Sequence, residues 1–126
     1  SYKNKVFDLI PKNIPRSLDS SVIVITDSGI ESNNLISYFN NDKLVHGWNF
    51  VTDSSNVNFS ESNVHGTSVN YLIEKNLALA KKTDYRILPL VVLGKENKGS
   101  LFDYLCALSY VNDIKNRNLA KIKVIN

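Results

Sequence analysis

Two unbroken apolar runs limit the folds open to this chain. VIVI (22–25) and RILPLVVL (86–93) are dominated by Val, Ile and Leu, and neither alternates with polar residues. A strand wetted on one face alternates; a strand that reads as continuous apolar sequence is covered on both. Between the runs the period changes. Val69, Leu72, Ile73, Leu77 and Ala80 recur at three- and four-residue steps, which predicts a helix over 65–82. GKENKG (94–99) reads as a turn, and Ser100 followed by Asp103 is a capping-box-like start to a second helix. Leu101, Leu105, Leu108, Val111 and Ile114 place an apolar stripe on that helix. LVHGWNFV (44–51) is strand-like, and KIKVIN (121–126) opens a further strand. Pro89 lacks an N–H, so an irregular or edge position is expected for the second run.

Strands alternating with helices predict an α/β fold: a doubly wound, mostly parallel sheet with helices on both faces. Residues 1–20, with Pro11 and Pro15, read as an amino-terminal arm, and 21–126 as a single domain. A helical turn is expected over 33–38 and a polar loop over 52–63. A chain of 126 residues can bury one core but not two.

Composition removes several function classes. The 15 basic residues are dispersed among 12 acidic ones, without the clustering on one face that a nucleic-acid surface needs. No apolar run approaches the roughly 20 residues of a membrane span, and no basic segment with an apolar stretch behind it opens the chain. The chain begins with Ser1 and has no Met, which points to a processed start and leaves room for a leader in a precursor. One cysteine, Cys106, permits neither an internal disulfide nor a multi-cysteine metal site, and its neighbours Leu105, Ala107 and Leu108 suggest packing.

In parallel α/β sheets, chemistry collects outside the carboxyl ends of the strands. VIVITDSGI (22–30) delivers Asp27 to such an end. VHGTSV (64–69) puts His65, followed by Gly66 and Thr67, at the head of the first helix. A carboxylate and an imidazole brought to one sheet end are two thirds of an Asp-His-Ser arrangement, in which the acid orients the ring and the ring moves the proton. His46 is read as a strand residue without a role.

With these motifs in this order, the chain resembles the subtilisin-like serine peptidases (the subtilase family). The resemblance rests on VIVITDSGI, HGWNFV, VHGTSV and the stretch ILPLVVLGKENKGS with its following helix and KIKVIN; residues 1–20 add little. It implies that Asp27 orients the imidazole, that His65 is general base and then general acid, and that Asn97, Lys98 and Gly99 pair with an extended peptide substrate. Gly99 would allow close approach of the substrate backbone, and Leu101 and Ala107 would fall where the family walls an apolar pocket. The family's nucleophilic Ser and oxyanion Asn lie beyond residue 126. The sequence therefore reads as the amino-terminal portion of a serine endopeptidase, inactive alone and completed by the remaining carboxyl-terminal part of the catalytic domain. Expected partners are a peptide or protein substrate and that remaining part, with neither nucleic acid nor membrane. No organic cofactor is implied; calcium is frequent in the family, but no ligand set can be traced. Family habit makes the protein secreted or cell-envelope associated.

The chain departs from the family pattern at Val64, where Gly is usual, and at Asn70 and Tyr71, where small residues stand. These motivate an alternative, a catalytically inactive subtilase-like module that binds extended peptides. A phosphotransfer domain with Asp27 as nucleophile is disfavoured, because haloacid-dehalogenase-type sites want a second Asp where Gly29 stands.

Overall fold

The computed structural model describes residues 20–31, 45–58 and 63–126. The expected arm, apart from Ser20, and the expected helical turn over 33–38 lie outside the described residues. Among the described residues four strands and two helices follow one another: β1 (Ser21–Asp27), β2 (Trp48–Asn49), α1 (His65–Leu79), β3 (Tyr85–Val91), α2 (Leu101–Asn116) and β4 (Lys121–Ile125). They form one sheet in the order β2-β3-β1-β4, every strand pair parallel. This is an α/β fold.

Alternate residues of β1 serve opposite faces, as its unbroken apolar sequence requires. Val22 and Val24 join Leu88, Leu90 and Val92 beneath Ala107, Val111 and Ile114 of α2. Ile23 and Ile25 join Tyr85 and Ile87 on the other face, against Val69, Ile73 and Leu77 of α1. Each fully buried Val, Leu or Ile contributes about 1.5–3 kcal/mol relative to an exposed one, so this double layer fixes the central strands.

Several expectations about placement change. Leu101, at 73% exposure, and Leu105 are in solvent among the described residues, and the buried stripe of α2 is Ala107, Val111 and Ile114. The first turns of α2 stand clear of the sheet, so the apolar spacing is present without a surface beneath it. Of the strand expected over 44–51, the described part, 45–51, is strand only at Trp48–Asn49, and the Asn49 side chain turns the chain at once: its Oδ1 accepts the N–H groups of Val51 and Thr52, both at 3.0 Å.

Pro89 is in an inner strand, paired in register with Ile25, not at an edge. The reason is the brevity of β2, which meets β3 only at Leu90 and Val91. The Pro89 carbonyl and ring lie against Gly47, on the side where the β2 ladder has not yet begun, so the missing N–H deletes no ladder bond.

The most buried face of α1 was not legible from apolar spacing. It carries Gly66, Thr67, Asn70 and Glu74, while Leu72 and Leu79 are exposed. Glu74 is fully buried, with Asn70 Nδ2 and the Tyr85 hydroxyl each donating to its carboxylate at 3.3 Å. Tyr85→Phe removes one of these bonds and is expected to lower stability by about 1–2 kcal/mol, measured as a lower urea midpoint at unchanged slope. An unchanged midpoint would show that this bond carries no net stabilisation.

Candidate active site

The last residue of β1 and the first of α1 meet above the carboxyl end of the sheet. Asp27 Oδ1 and Oδ2 lie 2.9 and 3.0 Å from His65 Nδ1. Oδ1 also accepts the Ser28 N–H at 2.7 Å. The carboxylate is buried at 7% exposure while the imidazole is 55% exposed. An ionised carboxylate can only accept hydrogen bonds, so Nδ1 must carry the ring hydrogen. In the neutral ring that leaves Nε2 bare and able to take a proton.

The mount beneath this pair is built largely from backbone. The Asp27 carbonyl accepts the N–H groups of Val92 at 2.9 Å and Leu93 at 3.3 Å, tying the end of β1 to the exit of β3. The Gly66 N–H donates to Ser28 Oγ at 3.0 Å, and the Glu31 N–H to Thr67 Oγ1 at 3.0 Å. Gly66 has no room for a side chain: a Cβ there would overlap the Gly29 carbonyl oxygen and sit 3.2 Å from Asp27 Cβ.

Asn63, buried two residues before the helix, joins His65 to the neighbouring turn. Its Oδ1 accepts the His65 N–H at 3.4 Å and its Nδ2 donates to the Gly94 carbonyl at 2.9 Å. Neither Ser28 nor Asn63 stood out in the sequence. The signal for Asn63 is an Asn just ahead of a helix, a residue whose side chain readily substitutes for missing backbone partners.

The turn holding Asn97, Lys98 and Gly99 runs alongside. Lys95–Asn97 forms a 3₁₀ turn with Glu96 and Asn97 at φ 57° and 56°. Lys98 is extended, but its N–H donates to the Lys95 carbonyl at 3.1 Å and its carbonyl accepts the Gly94 N–H at 2.8 Å. A Cβ on Gly99 would overlap the Val92 carbonyl oxygen, so packing within the chain already requires glycine there, whatever approaches from outside. Ala107 is core and Leu101 is exposed. The two do not share a wall.

The departures noted in the sequence find places. Val64 is exposed at the start of α1, Tyr71 is half-buried, and Asn70 fills the tight inner position. Ser68 follows Gly66 and Thr67, but its hydroxyl donates to the Val64 carbonyl at 3.1 Å. No serine bonds to the His65 ring among the described residues. His46 lies on β2's approach, its Nδ1 3.0 Å from the Gly47 carbonyl. Cys106 is half-buried.

Among the described residues no three His, Cys, Asp or Glu side chains gather as a metal site, and no helix is long and apolar enough to cross a membrane. A cavity of about 560 Å³ among Ser21, Leu77, Tyr85 and Val124 lies at the amino ends of the strands, remote from the Asp27–His65 pair. A smaller one of about 150 Å³ lies between Ser28, Asn63 and Gly94, with neither Asp27 nor His65 in its lining. Comparison with protein-family models, with curated proteins and with solved structures found no match.

Proposed function

We propose that this chain is the amino-terminal part of a subtilisin-like serine endopeptidase, with Asp27 and His65 as the acid and base of an Asp-His-Ser triad. One observation carries the reading: both oxygens of a buried carboxylate hold His65 Nδ1, at 2.9 and 3.0 Å, while the ring remains half open to solvent.

In this mechanism His65 Nε2 removes the hydroxyl proton of a serine supplied by sequence outside these 126 residues, as that oxygen attacks the scissile carbonyl. The imidazolium so formed is stabilised by Asp27, and its proton passes to the leaving amine as the acyl-serine forms. Water then repeats the steps in reverse roles. The resemblance further places the protein outside the cell or in its envelope, with the remaining part of the catalytic domain as an obligate partner.

The test is covalent labelling of the complete protein by a serine-reactive phosphonate. Labelling is expected, and His65→Ala should abolish it. Labelling that survives His65→Ala overturns the role of His65. A folded protein that binds extended peptides but is never labelled is the non-cleaving module instead.

A further inference from the structure

We propose that the 560 Å³ cavity at the amino ends of the strands binds a single-chain amphiphilic anion, its apolar tail inside and its carboxylate among Lys81, Lys82 and Lys123. The inference is independent of the peptidase reading. The cavity arises because the cluster beneath α1 draws its strand residues from β1 and β3, and none from β4. Leu77 packs there with Ile23 and Tyr85, and β4 carries the sheet on past β1. Ile23 pairs in register with Val124 of β4, so the apolar floor continues beyond its cover. Ile23 is accordingly the most accessible member of its cluster, at 9%, and Val124 is half exposed.

Floor and rim differ in chemistry. The floor is Ile23, Leu77, Val124 and Tyr85, whose hydroxyl is committed to Glu74 at 3.3 Å. The rim is mostly cationic. Lys81 and Lys82 come from the turn that ends α1 and Lys123 from β4; all three are exposed, and none forms an ion pair among the described residues. Asp84 is the one acid in the lining, and its Oδ1 accepts the Ser20 hydroxyl at 2.6 Å. Ser21 and Thr83 are neutral. The mouth thus sets three ammonium groups against one carboxylate. The carbonyl end of α1 does not cancel this field, because Asn76, Leu77 and Ala78 already accept the N–H groups of Ala80, Lys82 and Lys81. Lys81 is held at φ 56°, the left-handed position where glycine ordinarily closes a helix.

These features select the guest. The volume is that of a small-molecule site, apolar within and polar at a few convergent points. An extended peptide is a poor occupant, because the floor has nothing for its backbone amides. A bilayer is excluded by shape, since the apolar surface is concave. An acyl tail fills the space without burying a polar group, and its carboxylate gains charge-assisted bonds from the lysines.

The experiment titrates decanoate, decanol and decyltrimethylammonium into the complete protein, each below its micelle concentration, and follows the methyl resonances of Leu77 and Val124. Decanoate is expected to saturate at one equivalent and to bind about tenfold more tightly than decanol, with the margin shrinking as salt is raised. The cationic amphiphile should bind most weakly. Octanoate, two methylenes shorter, should bind about tenfold more weakly than decanoate. Lys81→Gln, Lys82→Gln and Lys123→Gln combined should equalise decanoate and decanol; the three side chains are exposed, so this variant is expected to fold. Equal affinities in the parent, a margin unchanged in the triple variant, or saturation that leaves Leu77 and Val124 unmoved would each overturn the site. So would absence of binding, the result if another part of the protein fills the cavity, and so would capture by phosphatidylglycerol vesicles in preference to decanoate. None of these outcomes bears on phosphonate labelling, which tests the peptidase reading separately.

Discussion

On the proposed peptidase reading, Asp27→Asn will reduce kcat of the complete protein by about 10⁴-fold, with much smaller change in KM. The size of the effect comes from a hydrogen rather than from a lost contact. The substituted carboxamide would keep the shape of the carboxylate and could still accept the Ser28 N–H through its remaining oxygen. Its amide hydrogens, however, face the imidazole, and an N–H aimed at Nδ1 forces that nitrogen to become the acceptor. The ring hydrogen moves to Nε2, and the ring can no longer take a proton from a nucleophile. Loss of charge removes the stabilisation of the imidazolium as well. Steady-state kinetics on a peptide ester, with thermal unfolding to verify that the variant is folded, decide the matter. A loss below about tenfold would remove Asp27 from the proton path. His65→Ala should cost more, about 10⁶-fold, because it deletes the base itself.

Gly66→Ala will unseat the same pair by another route. The new methyl would overlap the Gly29 carbonyl oxygen, a contact that real Cβ atoms do not make, and the obstruction is backbone. No rotamer change can relieve it. The head of α1 must lift, which strains the Gly66–Ser28 bond at 3.0 Å and draws His65 away from Asp27. Overpacking of this kind costs about 3 kcal/mol. The expected result is a lower urea midpoint with an unchanged slope, together with loss of the His65–Asp27 hydrogen-bonded proton signal in NMR spectra. Val64→Ala, at an exposed residue just ahead of the same helix, is the control and should stay within about 0.5 kcal/mol of the parent. If Gly66→Ala matched that control, the close approach would have no energetic weight.

The acid and the imidazole were legible in the sequence because each stands at a junction with strong local signals. An unbroken apolar strand ends at Asp27, and a change of period begins at His65. Strand continuity likewise marked β1 and β3 as doubly covered. Which face of a helix turns inward was less legible, for reasons particular to each helix. In α1 the innermost residues are Asn70 and Glu74, polar groups satisfied by bonds to each other and to Tyr85, so apolar spacing pointed to the flanks of the buried face. In α2 the spacing was regular, but Leu101 and Leu105 precede the part of the helix that overlies the sheet. Pro89 could not be placed without knowing that β2 is two residues long. Ser28 and Asn63 act through bonds to residues 38 and 31 positions away, a range no local pattern reports.

The main-chain oxygen of Asp27, receiving Val92 and Leu93 together, bears on motion as much as on position. A substrate-binding loop that opens like a lid needs a hinge that can swing without disturbing the chemistry. Here the root of the 94–99 turn is fastened to the very residue whose side chain aims the imidazole. Swinging that root outward would break bonds at the acid before it admitted a peptide. On the proposed reading, access to this site is therefore governed by what slides past a fixed rim, and the Asp27–His65 alignment is complete before a substrate arrives.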